Sequence, residues 1–419
     1  MSAVSDRHES GHSPFQDIVG EWRVNWRPGL ASFIGLGLGG SIAAPVFSIF
    51  VLPLEQSFGW SRGEISLAFT VTVFGGLCAP FVGRLIDRVG PRWPLLFSFC
   101  AMALFYSLLA AMPGHLLVFY GFYAALNFFA LPTTSLGYAR VLCTSFVKSR
   151  GFALAIGRAG VSLGSAILPL VLFAIIADSN WRMGWLFMAA LVLCIALPVT
   201  WWGVDRKKQS GGEAAERKAD REDIQPYLDL LGNRYVLLIA IAAAFAYVGI
   251  IAISSQALPV LVDRGISADM AAGLVGFLGL ASMAGALTTG FLLDRIWAPA
   301  VAALMLICGA AGALMLALFS GDFTLAAIAF LLVGFTFGAE TDICSFVIAR
   351  YCGMTNYSSV YGICIVAITT ASAIGSASMG YMFDAMGSYT LPLFLCSGSF
   401  AVAALIYLSL GRYPKEGIG

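Results

Sequence analysis

The sequence predicts an all-α integral membrane protein, with twelve transmembrane helices in two bundles of six. Three observations predict it. Of 419 residues, 59% are hydrophobic and only 11% are charged, with a mean hydropathy of +0.86. Ordinary soluble chains carry about 25% charged residues, so a soluble fold of this size would lack the charge to solvate its surface. The apolar residues gather in long uncharged stretches, and a spanning helix needs about 20 of them. Finally, a short motif recurs at an offset of 207 residues, which makes the chain two copies of one half.

The same composition excludes other classes. A net charge of +1 supplies no field for nucleic acid, which is not an expected partner. The nine cysteines lie in or at the ends of apolar runs without a CxxC pair, and read as small buried hydrophobes. His8, His12 and His115 form no cluster with them, so neither a metal nor another cofactor is expected. Gly35-Leu36-Gly37-Leu38-Gly39-Gly40 matches a dinucleotide fingerprint, but within an apolar span it reads as close helix packing. Gly160-Val161-Ser162-Leu163-Gly164 matches a nucleophile elbow, yet no histidine lies in any span to activate the serine. No phosphate-binding GxxxxGK[ST] motif occurs, so ATP-driven transport is not expected, and no catalytic constellation supports an enzyme.

Taken in order, residues 1–28 form a cytoplasmic tail without the apolar core of a signal peptide. Phe15, Ile18, Val19, Trp22 and Trp26 recur there at helical spacing, which suits a helix lying on the membrane interface, although an ordinary polar tail reads equally well. Six apolar stretches follow within 29–203, at about 29–54, 63–84, 93–112, 115–146, 151–177 and 182–203. A charged linker, 204–233, separates them from six more within 234–411, at about 234–261, 267–291, 297–319, 323–348, 357–382 and 388–410. Residues 412–419 form a second cytoplasmic tail. With the N-terminus inside, 19 of the 24 Lys and Arg fall on cytoplasmic segments, while the outside loops hold Arg62, Arg182 and Arg264. That bias places both termini in the cytoplasm.

The recurring motif reads Gly83-Arg84-Leu85-Ile86-Asp87-Arg88-Val89-Gly90-Pro91-Arg92 after span two and Gly290-Phe291-Leu292-Leu293-Asp294-Arg295 after span eight. Glycines permit a tight turn and close approach, and the aspartate and arginines offer a charged latch. Gly83, Asp87, Arg88, Gly90 and Arg92, with the second copy Gly290, Asp294 and Arg295, resemble the signature loop of the major facilitator superfamily. The resemblance implies its fold of six plus six helices with inverted repeats, a binding site between the halves, transport by alternating access, and an inner gate built from spans four, five, ten and eleven.

Four further segments resemble the monocarboxylate and oxalate/formate branch: Phe58-Gly59-Trp60-Ser61-Arg62, Arg150-Gly151-Phe152-Ala153-Leu154-Ala155, Gly338-Ala339-Glu340-Thr341-Asp342 with Arg350-Tyr351, and Gly387-Ser388-Tyr389 after Asp384. Lactate-type members carry a lysine in span one and an acidic/arginine pair within span eight. Here span one has no lysine and span eight has only Asp269, at its outer end.

Ionisable groups inside a span are costly, so they mark a cavity or pair with one another. Arg140 in span four, Arg158 in span five, and Glu340 and Asp342 in span ten lie at similar depth, roughly 10 Å from the cytoplasmic boundary at about 1.5 Å per residue. An arginine there can hold a substrate carboxylate through two donors, and a span-ten carboxylate can take the coupled proton. Alternatively the four groups close the inner mouth, or the arginines snorkel. Glu340 and Asp342 point about 200° apart on a helix. Asp342 shares a stripe with Gly334 and Gly338 and suggests packing, which leaves Glu340 to face the cavity. Asn127 and Gln256 are uncharged polar candidates for the ligand.

The expectation is therefore a monomeric secondary transporter of the bacterial inner membrane. It takes up a small organic anion with protons, has the lipid bilayer as its surroundings, and needs no cofactor. Multidrug efflux, peptide-type uptake and a transporter-like sensor remain as alternatives.

Overall fold

The computed structural model describes residues 14–70, 72–146, 149–204, 230, 232–293, 295–318, 321–353 and 357–413. Almost all of these are helical, and none is in a strand. Among the described residues, eleven helices are long and apolar enough to cross a membrane. The remaining expected span, span two, falls on helices Arg62–Thr70 and Thr72–Val89. Leu117, Phe81, Leu405 and Leu287 are 81%, 69%, 66% and 65% exposed, which suits a surface facing lipid rather than water.

Among the described residues, spans one, four and seven are interrupted. Span one runs from Val19 to Phe58, well before its expected start. Its helix continues out of the N-terminal segment across a non-helical Asn25, and a 3₁₀ turn, Gly40–Ile42, divides it again. Span four breaks at the 3₁₀ turn Leu131–Thr133, where Pro132 cannot donate a ladder hydrogen bond. Span seven stops at Ser255 and resumes at Ala257, leaving Gln256 outside helical geometry.

The N-terminal helix is fastened to its own half. Glu21 accepts from the Ser149 backbone N–H at 2.8 Å and its hydroxyl at 2.6 Å, and the Trp22 ring lies 4.6 Å from that of Phe146. Trp22 is thus a docking contact, whereas Trp26 is 46% exposed.

The two motif decoys pack on each other. A Cβ on Gly37 would lie 2.7 Å from the carbonyl oxygen of Gly160, and one on Gly164 would strike the Gly37 backbone. Only glycine lets spans one and five approach so closely.

The halves meet along two seams. Span five, Arg150–Asp178, runs against span eight, Ala268–Leu293, with Gly276 and Gly279 on the backbone of Ser162 to Ala166. Span two runs against span eleven, Tyr357–Met386, with Gly380 on the Arg62 carbonyl and Gly76 on the Thr369 side chain.

The signature loop is in place where described. Gly90 takes φ +83°, and its N–H closes the span-two helix on the Ile86 carbonyl at 2.9 Å. Arg88 is exposed, and Arg295 lies 3.5 Å from the centre of the Phe291 ring. Arg92 departs from the expected latch: it donates to the Trp201 carbonyl at 3.0 Å, within its own half. Gly83 lies beside Leu136, and Gly290 has no neighbour within 4 Å of an added Cβ. The side chain of Asp87, residue Asp294, and most of the 204–233 linker lie outside the description.

Candidate functional site

Two polar constellations bridge the halves. The first is interior. Arg158 stands eight residues into its helix, about 12 Å along it at 1.5 Å per residue. Its guanidinium bonds the Asp342 carboxylate of span ten, Phe323–Tyr351, and also donates to the Gly338 carbonyl at 3.2 Å. Both side chains keep about a third of their surface open, 34% for Arg158 and 31% for Asp342, so the pair lines accessible space. The Tyr247 hydroxyl, 3.1 Å from that of Thr341, and Tyr361 stand within electrostatic range of Arg158.

This reverses the expected roles in span ten. Asp342 faces the other half. Glu340 is fully buried in its own half, where its Oε1 accepts from the Tyr407 hydroxyl at 2.9 Å and its Oε2 has no hydrogen-bond partner among the described residues. The glycine stripe does pack: Gly338 and Gly334 lie against Ser282 and Ala281 of span eight. That contact turns Asp342, one turn beyond Gly338, towards Arg158 on the neighbouring span five.

Arg140 is half-buried on helix Ser135–Ser145, with its carbonyl accepting from Thr144 at 2.8 Å. Asn127 donates to the Tyr123 carbonyl of its own helix at 2.9 Å and lines a void of about 20 Å³ inside the first half. That volume suits one water, not an organic anion. Gln256 is not open to ligand: wholly buried, it donates to the Ser66 hydroxyl, and its Oε1 accepts from Tyr389 at 3.1 Å.

Gln256 belongs instead to the second constellation, centred on Arg62 at the opposite end of the spans. Arg62 is 7% exposed. It donates to Glu55 at 3.0 Å, to Asp263 at 2.5 and 3.3 Å, and to the Tyr389 hydroxyl at 3.1 Å, and its guanidinium carbon lies 4.0 Å from the centre of the Phe383 ring. Asp384 accepts from the backbone N–H groups of Arg62 and Gly63, at 3.1 and 2.7 Å. The buried guanidinium is thus compensated by the Asp263 and Glu55 carboxylates and by the hydroxyl of Tyr389. Charge counting had made Arg62 a plain loop residue. The signal that could have found it is the motif pair: Phe58 to Arg62, and Asp384 with Tyr389, flank the ends of spans two and eleven that meet here.

A family model described as the Major Facilitator Superfamily matches residues 30–375. Monocarboxylate transporter 12 of Rattus norvegicus is 26% identical over 335 residues, covering 68% of this chain and 65% of that protein. The chain thus spans just under two thirds of that relative. An MFS-type transporter of Gibberella moniliformis is 29% identical over 357 residues, covering 80% of each chain. A solved bacterial homolog to the human lysosomal transporter Spinster, inward-facing and unoccupied, superposes with a TM-score of 0.71 at 15% identity, over 94% of this chain and 99% of that one. The nucleoside transporter NupG superposes with a TM-score of 0.74 at 13% identity, over 93% of this chain and 100% of that one.

Proposed function

This chain belongs to the Major Facilitator Superfamily and is a multi-pass membrane protein, and from that premise we propose that it is a transporter carrying a small organic anion across the membrane together with a proton. The observation that supports this most is the Arg158–Asp342 pair, an accessible charge pair joining the two halves inside the membrane.

A guanidinium offers planar paired donors that match a carboxylate. An arriving anion competes with Asp342 for Arg158. Once released, Asp342 is a carboxylate in a poorly solvated site without its counter-charge, where a proton neutralises it at least cost. Substrate and proton are thereby loaded together, and the tie between the halves at this depth is broken. At the other end the Arg62 constellation holds the halves closed, and its release opens the alternate path. Tyr247 and Tyr361 beside Arg158 suit a substrate with an apolar or aromatic body. We place both termini in the cytoplasm, which the distribution of Lys and Arg supports.

The test is uptake into proteoliposomes under an imposed pH gradient, screened across labelled mono- and dicarboxylates. Wild type should accumulate its substrate when the outside is acidic. Asp342→Asn, a mimic of the protonated state, should exchange substrate but not concentrate it. If Asp342→Asn keeps full proton-driven accumulation, the pair is only a gate and the proton travels elsewhere.

A relative named Agnestins efflux protein, 22% identical over 258 residues, favours export as a second reading. Right-side-out and everted vesicles separate the two, because export under the physiological gradient accumulates substrate only in the everted ones.

A further inference from the structure

A third site lies away from both constellations, at the end of the first half where the N-terminal helix docks. The helix carrying the break at Asn25 packs on spans four, five and six. The Asn25 side chain pins the turn by donating to the Ser145 carbonyl at 2.8 Å. The turn encloses an open cavity of about 510 Å³, lined by Arg27, Arg92, Trp26, Trp201 and Trp202, among others.

Each arginine stands over an indole. The Arg27 guanidinium carbon is 4.9 Å from the centre of the Trp202 ring, and that of Arg92 is 4.7 Å from the Trp201 ring. Trp26 meets Trp202 edge-on at 5.1 Å. Among the described residues no carboxylate is bonded to either arginine, so two oriented positive charges face the cavity. The wall is also amphipathic. Trp26, Trp201 and Trp202 are 46%, 53% and 45% exposed, and Val24 beside them is 71% exposed. Exposed indoles gather where spans leave the hydrocarbon, at headgroup depth. A free anion would use the arginines and leave the indole and valine faces bare. A lipid uses both, with its phosphate at the guanidiniums and its acyl chains along the rings.

We infer that this cavity binds the phosphodiester headgroup of an anionic phospholipid and so couples the docked N-terminal helix to the membrane surface. Each arginine near an anionic headgroup is worth about fivefold in affinity.

The test uses the purified full chain in nanodiscs of phosphatidylcholine with stepwise added phosphatidylglycerol. Native mass spectrometry counts the lipids retained on gentle release. Wild type should keep at least one phosphatidylglycerol in preference to phosphatidylcholine. Arg27→Gln/Arg92→Gln should lose that preference by roughly twentyfold, with the Arg→Lys pair keeping most of it. A second reading uses bromine-labelled lipids. Brominated phosphatidylglycerol should quench wild-type tryptophan fluorescence beyond brominated phosphatidylcholine, and Trp202→Phe should remove most of the excess. Equal retention and quenching for the two lipids would overturn the inference. So would displacement of the lipid by millimolar glycerol phosphate, which would make this a soluble-anion site. The wild-type quenching needs no variant, so a misfolded mutant leaves the inference testable.

Discussion

Arg158 and Glu340 are both ionisable groups within spans, but their surroundings assign them different sensitivities. Arg158 holds Asp342 with one nitrogen and the Gly338 carbonyl with another. Arg158→Lys keeps the charge but loses the planar fork, so the KM for substrate exchange should rise on the order of tenfold or more while the melting temperature changes little. Glu340→Gln can still accept from Tyr407 and should fold normally. Glu340→Ala strips Tyr407 of its acceptor and leaves a void, which should lower stability by about 2–4 kcal/mol in a thermal-unfolding series. The charged residues themselves were legible in the sequence, because a charge in an apolar run stands out. Which carboxylate of span ten meets Arg158 was not. A helical wheel fixes the angle between Glu340 and Asp342, but the rotation of the whole helix is set by Gly338 seating on Ser282, a contact between distant segments. Arg62 was misjudged for the complementary reason: as a near-loop arginine it carried no cost signal, and its partners Asp263, Asp384 and Tyr389 lie in the other half.

Among the helices, the close crossings are the most exacting feature. Gly160→Ala places a methyl group against the Phe33 backbone, which must then move, so the folded yield and melting temperature should both fall. Gly121→Ala is the matched control, because nothing lies within 4 Å of its Cβ, and helix propensity alone predicts a gain of about 0.4–1 kcal/mol. A drop at both sites, or at neither, would falsify the packing account. The existence and order of the spans could be read from hydrophobicity, since length and apolar content decide insertion. The interruptions at Asn25 and Gln256 could not, because each is fixed by a side chain whose partner is far along the chain: Ser145 for the former, Ser66 and Tyr389 for the latter.

For the molecule as a whole, the Arg62 constellation joins spans one, two, seven and eleven and the Tyr389 cap of span twelve in a single tie between the halves. Charge-assisted hydrogen bonds contribute about 1.5–3 kcal/mol each when buried, but Glu55 and Asp263 stay 33% and 30% exposed, so the screened total is smaller. Arg62→Ala should still shift the equilibrium towards the open form at this end by about tenfold. Ser66, fully buried beneath Arg62, offers the readout. A Ser66→Cys thiol should resist an impermeant maleimide, and adding Arg62→Ala should speed its labelling in proportion. Unchanged labelling would mean that the seam between spans two and eleven holds without the arginine. The fastening of the N-terminal helix has a use of another kind. With Glu21 bound to Ser149 and Trp22 seated on Phe146, the helix moves with its own half as one body. A dye carried on exposed position 23 is therefore a needle fixed to one plate of a hinge. Its distance from a second dye at exposed Arg412 reads the angle between the plates in real time, without disturbing either ion pair.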